Sequence, residues 1–112
     1  MALPEDQVAE LKQFFSNIQA AQEGGITYLK LPGAVLPTGC TPATMDLLLC
    51  PSPRDGYESR LYFAARVQGR GAALNWNGNT RVLEQNWVAY SWKVQGGLRL
   101  AQMVLAHLQA LQ

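Results

Sequence analysis

The stretch Glu23-Gly24-Gly25-Ile26-Thr27-Tyr28-Leu29-Lys30-Leu31-Pro32-Gly33 divides the chain into a helical part and an extended part. Upstream of it, Val8, Leu11, Phe15 and Ile18 recur at three- and four-residue spacing, the period of a helix with one face turned inward. Pro4 suits a first-turn position and Gly24-Gly25 can supply a left-handed stop, so the spacing predicts a helix over residues 4–23. From Ile26 the period switches to two, and Ile26–Leu31 reads as a strand closed by Pro32-Gly33.

Further extended runs follow. Thr44 to Cys50 ends at Pro51-Ser52-Pro53, and in Arg60 to Val67 the residues Leu61, Phe63, Ala65 and Val67 alternate with Arg60, Tyr62, Ala64 and Arg66, the pattern of a half-buried strand. After Gly69-Arg70-Gly71 come Ala72 to Trp76, a tight Asn77-Gly78 turn, Arg81-Val82-Leu83, and an extended stretch from Trp87 to Lys93. Beyond Gly96-Gly97, Leu98 to Gln112 carries a helical stripe of Leu98, Ala101, Val104, Leu105, Leu108 and Leu111. The order predicts one α+β domain over residues 1–112: an N-terminal helix, an antiparallel meander of about four strands, and a C-terminal helix, with the helices on one face of the sheet.

The 112 residues are 48% apolar and 15% charged, a composition that supports a packed core and excludes disorder and coiled coil. A net charge of +1 gives no electrostatic reason to bind nucleic acid or a membrane. The charge is uneven, because Lys12 alone against Glu5, Asp6, Glu10 and Glu23 leaves residues 1–25 at −3 and the remainder at +4. Arg54, Arg60, Arg66, Arg70 and Arg81 make that remainder mildly basic. The acidic start Met1–Asp6 and the absence of any long apolar run predict a cytoplasmic protein.

No Gly-x-Ser-x-Gly, locally spaced Cys/His pair or phosphate loop occurs, and Cys40, Cys50 and His107 do not have metal-ligand spacing, so neither a metal nor a cofactor is expected. Cys40 follows Leu36-Pro37-Thr38-Gly39 in a segment where a thiol would be exposed, whereas Cys50 ends an apolar run; either is a small apolar filler or a nucleophile with a depressed pKa. His107 lies near the edge of the last helical stripe and reads as a packing or capping residue. Trp76, Trp87, Trp92 and Tyr90 gather around Asn75, Asn77 and Asn79, which marks either a binding face or the joint between last strand and last helix.

Several motifs together resemble bacterial proteins of the ubiquitin-conjugating-enzyme-like superfamily: Gly24-Gly25-Ile26-Thr27-Tyr28-Leu29 with Leu31-Pro32, then Leu36-Pro37-Thr38-Gly39, Asp46-Leu47-Leu48-Leu49 and the turn from Pro51-Ser52-Pro53 through Gly56-Tyr57. Asn86-Trp87-Val88-Ala89-Tyr90-Ser91-Trp92 before a final helix is similar as well, so the resemblance covers most of residues 24–112. It implies a minimal ubiquitin-conjugating fold and, as partners, a ubiquitin-like protein, an adenylating activating enzyme and a JAB-type metalloprotease.

The chain departs from that family where its chemistry sits. Standard members carry His-Pro-Asn ahead of a catalytic cysteine, with an Asn-Gly-type turn between and a tryptophan after. Here Asn77-Gly78 resembles that turn and Trp87 that tryptophan, which puts the expected cysteine near Asn79 or Arg81; neither is a cysteine, and Gly71–Ala73 lacks His, Pro and Asn. Without a thiol no thioester forms by the usual route. The resemblance therefore implies a noncatalytic or atypical member, a pseudoenzyme with no catalytic residue, that binds a ubiquitin-like modifier or its activating enzyme through Asn75, Asn77, Asn79, Arg81 and Trp87. Two alternatives stay open at this level: a transferase with a relocated nucleophile, Cys40 first and Cys50 second, and a small α+β interaction module outside modifier biology, with Arg60, Arg66 and Arg70 meeting an acidic partner.

Overall fold

A computed structural model describes residues 3–53, 56–71 and 74–112 and, for residues 77–79, the backbone alone. The first helix, α1, spans Glu5–Leu11, with Glu5 and Asp6 placed in its first turn, where carboxylates complement the helix dipole. It stops well short of Glu23. Asn17 takes φ +60°, and Gln19–Glu23 forms a strand, β1, paired antiparallel to β2 (Ile26–Val35) from Gln19–Lys30 to Glu23–Ile26. The helix expected over residues 4–23 is thus corrected to a helix of about two turns and a strand. Gly24 and Gly25, at φ +60° and +80°, are the two-residue turn of a hairpin, a conformation glycine adopts without steric penalty. Val8, Phe15 and Ile18 do pack on the core, so their spacing correctly marked an inward face but not a continuous helix.

The remaining strands are β3 (Cys40–Thr41), β4 (Thr44–Cys50), β5 (Arg60–Phe63), β6 (Gln68–Gly69), β7 (Trp76–Val82) and β8 (Gln85–Tyr90). Helix α2 (Leu100–Leu108) runs into a 3-10 turn at Gln109–Leu111. Six strands form one curled sheet in the order β1-β2-β4-β5-β8-β7, each neighbouring pair antiparallel, and β3 pairs with β6 as a small clasp. The domain is α+β with a helix at each end, as the sequence predicts. The sheet holds six strands where about four were expected, because β1 was hidden in the helical spacing and Asn77-Gly78 is not a hairpin turn. Gly78 sits at a register shift inside β7, a bulge, and the hairpin turns instead at Leu83-Glu84, with φ +52° and +64°.

Arg60 to Val67 is extended only to Phe63, and the last strand ends at Tyr90, leaving Trp92 and Lys93 outside it. The expected strand from Ala72 begins at Trp76, with Ala72 and Ala73 lying outside the described residues, as does Arg54.

Both faces of the sheet are buried. Leu29, Leu31, Leu47, Leu49, Leu61, Phe63 and Tyr90 point to the helix side, where Leu11, Leu100, Val104, Leu108 and Leu111 meet them. Tyr28, Leu48, Cys50, Tyr62, Val82, Trp87 and Ala89 form a second cluster on the opposite face. The run Leu47-Leu48-Leu49-Cys50, apolar without alternation, is what a strand buried on both sides requires. Among the described residues no helix covers the second face; Ile26 and Leu83, at the ends of two hairpins, pack on the cluster, and the Glu23 carboxylate accepts the Leu83 N–H at 3.0 Å.

Helices α1 and α2 are tied end to end. Gln7 accepts the Leu100 N–H, one of the donors a helix start leaves unpaired, and Arg99 bridges Asp6 and Glu10 at 3.0 Å each. The Arg99 guanidinium holds the Asp6 carboxyl below its ordinary value.

Candidate functional site

Hairpin β7–β8 gathers the residues that the sequence marks for partner binding, and it treats them differently. Asn75 is exposed just before β7, its carbonyl accepting the Ser91 N–H. Arg81 is exposed on β7, an edge strand, and its guanidinium donates to Asn86 Oδ1 at 3.2 Å and to the Glu84 carbonyl at 3.1 Å. It braces the left-handed turn while leaving its outer surface open. The backbones of Asn77 and Asn79 flank the bulge, and their side chains lie outside the described residues. Trp87, 1% exposed, sits in the second core with its indole N–H donated to the Val82 carbonyl. A residue so placed shapes the hairpin from within and offers no surface to a partner, which corrects its expected role as a direct contact.

The thiols are placed as core residues. Cys40 was expected to be exposed in a loop; instead it is buried on β3, within 4.0 Å of the Leu111 carbonyl to which its S–H points. Burial pushes its pKa up, and the nearby Arg70 guanidinium only partly opposes this. A raised pKa leaves little thiolate, the form that attacks. The close approach that seals it depends on Gly69: a Cβ there would come within 2.3 Å of the Gly39 carbonyl oxygen, directly beside the Cys40–Gly69 register pair. Cys50 shares the second cluster with Trp87, fully buried, its S–H directed to the Ser52 carbonyl at 3.5 Å.

A buried polar cluster that sequence reasoning passed over joins α2 to the sheet. Ser59 Oγ and His107 Nε2 are 3.0 Å apart, and both side chains are buried. The Tyr90 hydroxyl donates to the His107 carbonyl, and the Trp92 indole to that of Ala106 at 3.1 Å, so side chains satisfy carbonyls that the last turn of a helix leaves free. Arg60, expected to be available to an acidic partner, is buried; it donates to the Tyr90 carbonyl and stacks on the Tyr57 ring at 4.3 Å. Burial, reinforced by that guanidinium and partly opposed by hydrogen bonding to Ser59, lowers the His107 pKa to about 4. Burial also raises that of Tyr90. The signal for this cluster was weak, one serine before a strand and one histidine on a helix, 48 residues apart. Arg66 and Arg70 remain exposed.

Among the described residues no three His, Cys, Asp or Glu side chains converge as metal ligands, and no helix is long and apolar enough to cross a membrane. Comparison with family models, with curated proteins and with solved structures returns no match for this chain.

Proposed function

We propose that this chain is a ubiquitin-conjugating-enzyme-like protein that binds a ubiquitin-like modifier or its adenylating activating enzyme in a bacterial conjugation pathway without carrying the modifier as a thioester. The observation that carries the reading is the position of the two thiols. Both are buried, each directed at a backbone carbonyl, and where the resemblance puts the expected cysteine the sequence reads Asn79-Thr80-Arg81. Burial of Cys40, with its raised pKa, also weighs against the relocated-nucleophile alternative. The motifs quoted from residues 24–92 supply the family side of the argument, and the exposed Asn75 and Arg81 supply a polar surface at β7, the last strand in the sheet order.

The binding face is tested by titrating the chain with a ubiquitin-like protein and, separately, with the adenylating enzyme that activates it. Replacing Asn75 and Arg81 together by glutamate is expected to weaken one of these complexes at least about tenfold, the loss of a charged contact and the gain of repulsion. Unchanged affinity for both partners removes the hairpin from the interface.

A further inference from the structure

Helix α2 is held at its two ends by different chemistry. Its start is tied to α1 through Gln7 and the part-exposed Arg99 ion pairs. Its end is held from inside: His107 is buried against Ser59 Oγ, the Tyr90 hydroxyl donates to the His107 carbonyl, and the Trp92 indole donates to that of Ala106. The 3-10 turn Gln109–Leu111 follows, and its fully buried Leu111 brings a carbonyl to 4.0 Å from the Cys40 thiol. Cys40 in turn lies close enough to Tyr90 to oppose ionisation of its hydroxyl. One buried cluster therefore joins His107 to Cys40 through Tyr90 and Leu111.

The groups that face His107 make this end weak in acid. Arg60 acts on it from β5 and Tyr90 from β8, with Cys40 of β3 beside Tyr90, whereas the Glu58 carboxylate lies against Gly96. Among the described residues no carboxylate pairs with the imidazole. The Ser59 hydroxyl can turn to accept from an imidazolium, but the site is buried and already holds a guanidinium, so desolvation and repulsion both oppose a second positive charge. Relief requires little movement. The end of a helix running into a 3-10 turn is among the parts of a fold that open most cheaply, and of residues 107–112 only His107, Leu108 and Leu111 are buried.

We propose that residues 107–112 form an acid-released lid: protonation of His107 frees the last turn of α2 and the 3-10 turn from the sheet, uncovering Cys40 and the part of the main core around it, while the start of α2 stays docked on α1. The sheet and the second cluster, which holds Cys50, remain in place. Opening returns the imidazole to water and to its ordinary value of 6.5, against about 4 when closed, so the open form binds more protons and opening grows as pH falls between those values. The device needs no conjugation partner.

Native labelling of the full chain with a dipyridyl disulfide, which reacts with thiols in mild acid, reads the lid directly. Peptide mapping separates Cys40 from Cys50, and dividing each rate by that of the urea-unfolded chain at the same pH removes the pH dependence of the reagent and of the thiol. From about pH 7.5 to about pH 5 the Cys40 ratio should rise roughly 30-fold and be insensitive to low urea concentrations, with Cys50 at least about tenfold slower. His107→Gln should remove the rise. Amide hydrogen exchange of the wild-type chain needs no substitution: corrected for intrinsic rates, Leu108 should lose protection in step with Cys40 labelling while Leu48 in β4 stays protected. Equal ratios for the two cysteines in acid, which mean whole-chain opening, overturn the proposal. So does an undiminished rise in His107→Gln, or a Leu108 amide that stays as protected as that of Leu48.

Discussion

Ser59 Oγ lies 3.0 Å from His107 Nε2, a buried hydrogen bond that pins the last turn of α2 to the start of β5 across the main core. The histidine is kept neutral there by its burial and by the Arg60 guanidinium beside it.

Acid lability is the consequence. The His107 pKa falls from 6.5 to about 4 on folding, so between those values the unfolded chain binds more protons than the folded one and stability rises with pH. The contribution is complete above pH 6.5 and is lost as pH falls towards 4, to the extent of about 2 kcal/mol by pH 5 and about 3 kcal/mol in full. Urea denaturation at a series of pH values should show this slope, and His107→Gln should flatten it over that window. An equal slope in the variant would place its origin elsewhere.

The Leu83-Glu84 turn holds two side-chain-bearing residues at positive φ, braced by Glu23 and Arg81. A left-handed conformation costs roughly 1–2 kcal/mol for such residues. Glu84→Gly keeps the backbone carbonyl that Arg81 grips and should stabilise the fold by about 1 kcal/mol, seen as a Tm higher by several degrees. Glu23→Ala should act in the opposite direction, by roughly 0.5–1.5 kcal/mol, since the Leu83 N–H loses its side-chain acceptor.

Thiol chemistry tests the clasp. Native Cys40 and Cys50 should react with a thiol-specific reagent only as fast as the protein opens. Gly69→Ala drives a Cβ into the Gly39 carbonyl and should cost roughly 2 kcal/mol or more while selectively accelerating labelling of Cys40. Equal rates for the two cysteines in that variant would contradict the account of how β3 is sealed.

The sequence made the strands at Leu47–Cys50 and Arg60–Phe63 legible and the C-terminal helix legible through its stripe, but the alternation read as a half-buried strand in Arg60–Val67 is corrected, since Arg60 and Tyr62 are buried along with Leu61 and Phe63. It misled where two structures share one pattern. Val8, Leu11, Phe15 and Ile18 all reach the core, yet only the first two are helical, because burial fixes which side chains face inward and not the backbone that carries them there. Asn77-Gly78 has the local preference of a turn, but pairing of β7 along β8 absorbs it as a bulge and moves the turn to Leu83-Glu84, where Glu23 from a distant hairpin holds it. Of the candidate site, Arg81 and Asn75 were readable as surface residues, whereas the burial of Trp87, Cys40 and Arg60 depends on contacts between segments far apart in the chain.

The central claim is that partner recognition here proceeds without thioester transfer. Its most direct test is to incubate the chain with a ubiquitin-like protein, its adenylating activating enzyme and ATP, and to resolve the products on a gel with and without reductant. The account predicts no reductant-sensitive adduct on this chain under conditions where the activating enzyme is itself charged. A reductant-sensitive adduct that disappears with Cys40→Ala or Cys50→Ala would contradict it.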